Sequence, residues 1–371
     1  MDFWDYQVKY FNDLDMGEQK CKGIKRAIDA ALETGDINNA LKLYHEFNTE
    51  NQIYYDGYES IIMFSEYLAL FEKHPEYWKE NSEDLMWSFK YVVGNITNFC
   101  QIPLDRIENI YRQYSEYCKR FNYNMRSYYR HLWGDMYWHG LENFAGVEDV
   151  RECHKRMMQC PIDELSEIPA GECDDLVKYI LFVEDDIEKA YEKAEPIFSG
   201  KLSCSQVPFF TYNNFAIYYF NAGNLEKAKF FNDKACREMY RHFGNTGSLM
   251  FDKGFCIMVC AYTDAEKALK ILRRQIGFVN NYNCPFESFY MFLGAYHVFK
   301  QLKNEGTNSI KFDFPGVDDK IYNKSGCYIA VLENYYYEKA RSIAEKFDKR
   351  NRNNHFTEIL NKKYTFNKGE V

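Results

Sequence analysis

The sequence predicts an all-α fold built from stacked helical hairpins. Hydrophobic residues make up 46% of the 371 residues, while only 8 prolines and 20 glycines are present, and this composition favours helices. The clearest hairpin is 211–235, in which an aromatic helix is followed by a turn at Gly223-Asn224 and a second helix through Ala228. One hairpin cannot cover its own apolar face, so neighbouring copies are expected to stack. An amphipathic helix at 326–348 is predicted to cap the stack.

The first half of the chain is predicted to contain seven helices. Apolar residues at helical spacing indicate them at 18–33, 37–47, 54–72, 82–98, 103–121, 124–139 and 147–158. An irregular lead-in at 1–16 precedes them. Gly35-Asp36 marks the turn of the first hairpin, because glycine readily adopts the left-handed backbone that ends a helix.

The second half is predicted to be more regular. Its helices are expected at 172–184, 187–195, 206–221, 225–241, 247–262, 265–279, 286–302, 326–348 and 356–363, followed by a loose tail. Pro196 is expected to end the second of these helices. No strands are expected, although IKFDFP at 310–315 is a candidate for an extended segment. The predicted parts are irregular helical repeats at 1–159, a linker at 160–171, regular repeats at 172–302, and an irregular segment, capping helix and tail at 303–371.

Small residues recur with a fixed period. Ala190, Ala228 and Ala268 are 38 and 40 residues apart, and Ala40 lies 150 residues before the first of them, close to four such intervals. A period of this size is the signature of a solenoid of helical pairs.

The hairpins resemble the tetratricopeptide repeat (TPR), in which helix A carries aromatic and small residues and helix B carries small residues around an aromatic. The matching residues are Tyr212, Phe215, Ala216, Tyr219, Gly223, Ala228 and Ala235 in one copy, and Tyr290, Leu293, Gly294 and His297 in another. Phe255, Cys256, Ala265, Ala268 and Leu272 give a third copy, and Ala27, Ile28, Gly35, Ala40 and Tyr44 give the first hairpin. The sequence departs from the pattern at Asn232, where an aromatic is usual, and at Phe47, where a small residue is usual. The resemblance covers 18–49 and 172–302 but not 54–159.

The chain as a whole is also similar to an uncharacterised group of bacterial TPR-like proteins. The phrases that carry this similarity are PIFSGKLSC at 196–204 and FDKR at 347–350. This second resemblance implies no known activity.

The TPR resemblance implies a curved stack whose A helices line an inner, peptide-binding surface. The positions that this implies are Tyr179, Phe182, Phe210, Asn213, Ile217, Phe220, Asn221, Lys253, Ile257, Ser288 and Met291. Asparagine offers both a donor and an acceptor to a peptide backbone, and apolar neighbours would form pockets. The competing interpretation is that these aromatics belong to the core and that the asparagines are caps or turns.

No enzyme signature is found, since the chain lacks a nucleophile elbow, a phosphate-binding loop and the HExxH zinc motif. One metal-like spacing exists, because His131, Asp135 and His139 are four residues apart on one helical face. In a line they span roughly 12 Å, too far for one ion to contact all three. Packing or surface histidines are the competing interpretation, and neither a metal nor a cofactor is expected.

Charge and cysteine content point to a cytoplasmic protein. The net charge of −9 argues against nonspecific binding to nucleic acid, which requires a basic face. The start MDFWDYQVKYF lacks the features of a signal peptide, and no run of about 18 apolar residues predicts a membrane span. The twelve cysteines are therefore expected to be reduced and mostly buried.

Four functions are compatible with these features. The first is a non-enzymatic scaffold that binds a protein or peptide partner on the concave surface of the solenoid. The alternatives are a peptide-responsive regulator, a metal-dependent enzyme that uses His131, Asp135 and His139, and a structural subunit of a larger assembly. No helix-turn-helix domain is evident, so direct DNA control is not expected. The oligomeric state is left open.

Overall fold

Nearly all of the regular structure in this protein is α-helix. A computed structural model describes residues 17–54, 57–244, 248–279, 283–311 and 326–366. The chain forms two compact units, Met1–Ser166 and Glu167–Val371, and the boundary between them lies within the segment 160–171. Among the described residues, no helix combines the length and the apolar character that crossing a membrane requires.

The first unit contains seven helices among its described residues. They are α1 (Glu18–Thr34), α2 (Ile37–Tyr54), α3 (Tyr58–Lys73), α4 (Trp78–Asn95), α5 (Leu104–Arg120), α6 (Arg126–His139) and α7 (Val150–Gln159). Short 3₁₀ segments, Pro75–Tyr77 and Ile96–Asn98, flank α4. Helices that follow one another pack together as α1 with α2, α2 with α3, and α6 with α7, while α4 contacts α2, α5 and α6.

The second unit contains nine helices among its described residues. They are α8 (Pro169–Tyr179), α9 (Ile187–Phe198), α10 (Phe209–Asn221), α11 (Leu225–His242), α12 (Met250–Thr263), α13 (Ala265–Val279), α14 (Pro285–Asn304), α15 (Ile329–Asn351) and α16 (His355–Asn361). A π-helical turn, Ile180–Glu184, extends α8. Two strands, β1 (Ser309–Ile310) and β2 (Cys327–Tyr328), pair antiparallel.

Helices of the second unit pack in consecutive pairs. The pairs are α8 with α9, α10 with α11, and α12 with α13, and their first helices also contact one another from α8 to α10, α12 and α14. The alanines at positions 190, 228 and 268, used to find the period, are completely buried in the second helices. The spacing of these alanines predicted close helix contacts, and at all three positions the alanine is buried between helices.

Each second helix of these pairs begins at a capping residue. The side-chain oxygens of Asp186, Asn224 and Asp264 accept hydrogen bonds from the main-chain N–H three residues further on, at 2.9, 3.0 and 2.9 Å. Such caps satisfy an N–H group that the helix itself leaves without a partner. The three caps are separated by the same intervals as the buried alanines, so the repeat includes the turn as well as the packing face.

Helices α12 and α14 approach each other unusually closely. A Cβ atom on Gly254 would lie 2.5 Å from the carbonyl oxygen of Tyr290, and one on Gly294 would lie 2.7 Å from the carbonyl oxygen of Gly254. Only glycine leaves room for backbone contact of this kind. The crossing fixes α12 against α14, and α15 then packs against the other side of α14.

Three local predictions are wrong. Pro196 does not end α9, which continues to Phe198. A proline removes only the N–H that would bond to the carbonyl four residues earlier, and here it lies in the last turn of the helix. The carbonyls of Glu195 and Pro196 still accept from the N–H groups of Ser199 at 2.8 Å and Leu202 at 2.9 Å. Helix α2 extends past its predicted end to Tyr54. The short β1–β2 pair contradicts the expectation of no strands, and of IKFDFP only its first two residues are described.

Candidate functional site

Most of the predicted groove residues lie inside the second unit. Six of the eight principal candidates are buried, namely Tyr179, Asn213, Ile217, Phe220, Lys253 and Met291. Phe182 and Phe210 are half-buried; of the additional positions, Ile257 and Ser288 are buried and Asn221 is exposed. The helices thus bring these residues together mainly as packing contacts between α10, α12 and α14.

Asn213 illustrates how the polar candidates are used. Its amide nitrogen on α10 donates to Oδ1 of Asp252 on α12 at 3.0 Å, and its amide oxygen accepts from the thiol of Cys256 at 3.3 Å. Burial raises the pKa of Asp252 to about 6, against the opposing effects of Lys178 and the Asn213 hydrogen bond. The amide that was predicted to clamp a peptide backbone therefore joins two helices.

Lys253 has a similar internal role. Its side chain is completely buried and its Nζ donates to the carbonyl oxygen of Phe243 at 2.8 Å. Burial lowers the pKa of this ammonium group to about 8, although Glu287 opposes the shift. A lysine in this position ties α12 to the end of α11.

The same helices also carry an aromatic cluster. Phe220 of α10, Tyr262 of α12 and His297 of α14 lie together, with the Phe220 and Tyr262 ring centroids 5.2 Å apart. The Tyr262 hydroxyl lies 2.9 Å from Nδ1 of His297. Burial, together with nearby Lys300, lowers the pKa of His297 to about 3, so the imidazole is neutral at physiological pH. We call these three side chains the tail seat.

The seat is covered by residues 362–366, which follow α16 and which we call the tail. The Tyr364 ring centroid lies 4.6 Å from Phe220, 6.0 Å from Tyr262 and 5.6 Å from His297. The Phe366 ring centroid lies 5.1 Å from both Phe220 and Tyr262. These distances are typical of packed aromatic pairs. Residues after the last short helix, predicted as a loose tail, are instead docked as far as the structure describes them.

The turn between α10 and α11 borders the seat. Nζ of Lys362 donates to Oδ1 of Asn221 at 2.9 Å. A Cβ on Gly223, whose φ is +77°, would lie 3.0 Å from the main-chain oxygen of Thr365. A side chain at this turn would press against the backbone of the tail, so glycine both forms the turn and admits the tail.

Sequence reasoning found this site only in part. Phe220 and Asn221 were candidates for the inner surface, and His297 was noted only as a helix A match. Tyr262 was not among the candidates, although it lies on a first helix, α12. The available signal was the alternation of Lys362, Tyr364 and Phe366, a period of two that is typical of an extended segment with one buried face.

Of the metal-like triplet in the first unit, Asp135 and His139 are buried and His131 is half-buried. Asp135 is buried, and its two carboxylate oxygens accept hydrogen bonds from Thr97 Oγ1 at 2.7 Å and from the Tyr111 hydroxyl at 2.5 Å. Within the described ranges, no group of three or more His, Cys, Asp and Glu side chains is placed to hold a metal ion. This geometry lends no support to a metal-dependent enzyme built on His131, Asp135 and His139.

The cysteines form no disulfide. All twelve are free thiols, and eight of them are buried. This agrees with the reduced, mostly buried thiols that the sequence predicts.

Comparison with known proteins gave no match to this chain among protein-family models, curated proteins or solved structures.

Proposed function

We propose that the protein is a non-enzymatic, TPR-like scaffold that binds an extended segment of a protein partner on the face formed by α10, α12 and α14. Twelve free thiols favour a cytoplasmic location, where cysteines remain reduced. The proposal is supported by consecutive helix pairs, by alanines buried at the repeat interval, and by α15, which would cap the stack from its position against α14.

The docked tail is the observation that carries this proposal. It shows a non-helical segment lying against first helices of three consecutive pairs, through side chains rather than through helix packing. Aromatic rings supply large apolar area and a defined geometry. The same rings can contact any extended segment of matching chemistry that reaches them.

The proposal is tested by selecting random peptides displayed on phage. The bait is a variant that carries Tyr364→Ala and Phe366→Ala, because its seat is no longer covered by tail rings. We expect enriched peptides to bind this variant with micromolar affinity in calorimetry. Adding Tyr262→Ala is expected to lower that affinity at least about tenfold, since one wall of the site is lost.

A matched control uses Tyr240→Ala, which removes an exposed tyrosine from α11 and should leave peptide affinity unchanged. Failure to enrich any peptide that binds the folded bait would contradict the scaffold function.

A further inference from the structure

The tail contacts its seat in a strict alternation. Tyr364 and Phe366 are half-buried and contact the seat rings, while Lys362, although exposed, donates a hydrogen bond to Asn221. Lys363 and Thr365, which lie between these residues, are exposed. At Lys362 the backbone has left the helix, with φ −58° and ψ 125°. Successive side chains of an extended chain point to opposite sides. The contacts of Tyr364 and Phe366 with the seat, on either side of the exposed Thr365, fit this alternation.

The alternation defines a ligand pattern. Two aromatic side chains separated by one residue fill the space over Phe220 and Tyr262, and a cation two residues earlier reaches the amide oxygen of Asn221. The intervening residues, Lys363 and Thr365, have exposed side chains, whereas the two aromatic positions are half-buried. Gly223 leaves room for the ligand main chain at the last intervening position.

We infer that the tail is a built-in competitor, and that the seat binds a partner segment of the pattern Lys-x-aromatic-x-aromatic in an extended conformation. This inference rests on the proposed scaffold function and specifies its ligand and its regulation. The tail follows α16 directly, so its effective concentration at the seat is in the millimolar range or above. A partner segment binds only when it outcompetes this tethered copy or when the tail is held elsewhere.

The test compares one peptide on two forms of the full chain. The probe is a fluorescein-labelled peptide with the tail sequence LNKKYTF, and binding is followed by fluorescence anisotropy. We expect it to bind the variant with Tyr364→Ala and Phe366→Ala, and to bind the unaltered chain at least about tenfold more weakly. Phe366→Ala alone serves as a milder release variant, and circular dichroism and thermal unfolding verify that each variant is folded.

Two controls distinguish specific recognition of the peptide from nonspecific binding. A variant with Lys363→Ala and Thr365→Ala changes only exposed tail residues, so it should bind the probe as weakly as the unaltered chain. The peptide LNKKYFT has the same composition but adjacent aromatics, which an extended chain places on opposite sides. It should bind the released variant at least about tenfold more weakly than the probe.

If the probe bound equally well to the unaltered chain and to the variant with Tyr364→Ala and Phe366→Ala, the tail would not be a competitor for the seat. If LNKKYTF and LNKKYFT bound equally well, the Lys-x-aromatic-x-aromatic pattern would be wrong. A tail-dependent dimer in light scattering would assign the seat to a second copy of this chain and overturn the partner assignment. If phage peptides bind the released variant but the probe does not, this inference fails while the scaffold function stands; if no peptide binds, both fail.

Discussion

The Asp135 cluster and the tail seat are both buried, but different parts of the chain cover them. Asp135 lies among helices, and its carboxylate is fully engaged by Thr97 and Tyr111. The seat has helices only as its floor, and its cover is a five-residue segment. A site enclosed by helices opens only when they separate, whereas a site under a terminal segment opens locally. The comparison teaches that buried clusters can differ in which part of the chain must move to expose them.

The energies of the two covers differ accordingly. The two half-buried rings of the tail contribute about 2 kcal/mol by their loss of apolar exposure. A cover of that strength leaves about one molecule in thirty open at equilibrium. Four predictions test this difference between the two sites, beginning with the largest expected effect.

Removing the carboxylate of Asp135 should damage the first unit most. Asp135→Leu leaves the hydroxyls of Thr97 and Tyr111 buried without their acceptor, and we expect a loss of about 4 kcal/mol in the free energy of unfolding. Urea denaturation followed by tryptophan fluorescence measures it. Asp135→Asn is the matched control, because an amide can still bond to both hydroxyls, and it should cost less than half as much. An Asp135→Leu variant of unaltered stability would refute the packing role.

Widening the floor of the seat should have the next largest effect. Gly254→Ala places a Cβ 2.5 Å from the carbonyl oxygen of Tyr290, so α12 and α14 must move apart, at a cost of about 3 kcal/mol. Urea denaturation followed by circular dichroism measures it, because all five tryptophans lie in the first unit. Gly134→Ala is the control, since its Cβ meets no atom within 4 Å and alanine is the better helix former. Equal effects of the two substitutions would show that the close crossing is not required.

Acid should weaken the second unit through His297. Its pKa is about 3 in the folded chain, because of burial and Lys300, and about 6.5 when unfolded, so the unfolded state binds more protons between these values. The neutral imidazole therefore contributes stability that is fully present above about pH 6.5 and is lost as the pH falls toward 3. The loss in the free energy of unfolding amounts to about 2 kcal/mol by pH 4.5. We expect His297→Gln to reduce the loss in unfolding free energy between pH 7 and pH 4.5 by that amount.

The exposed imidazole of His242 provides the control for this experiment. His242→Gln should leave the difference between pH 7 and pH 4.5 unchanged. If both variants respond to acid as the unaltered chain does, protonation of His297 is not the cause.

Releasing the tail should change global stability least but local exposure most. The double substitution Tyr364→Ala and Phe366→Ala is expected to lower the free energy of unfolding by less than about 2 kcal/mol. Trypsin cleavage at Lys362 and Lys363, quantified by mass spectrometry, should become about tenfold faster, because proteolysis follows the population of the open form. Thr365→Ala should not alter the rate, and an unchanged rate in the double variant would mean that the rings do not hold the tail.

The sequence predicts the helices well because helical periodicity is local. The bounds of α13 agree with those predicted, and most other helix bounds lie within a few residues. Pro196 shows the limit of local rules, since its missing N–H is tolerated in a last turn whose carbonyls are otherwise satisfied.

The site is less predictable, because burial depends on which faces meet. Lys253 and Asn213 look like ligand-binding residues in the sequence, yet both bond within the protein. No periodicity within α10 or α12 indicates that a segment more than one hundred residues later will cover their aromatic residues.

The order of synthesis gives the docked tail a further consequence. His297 leaves the ribosome 67 residues before Tyr364, and at usual translation rates this interval lasts about 3 to 13 s. During that time the aromatic floor can be complete while its cover is not yet made. A newly made chain therefore has these rings uncovered until Tyr364 and Phe366 have been added.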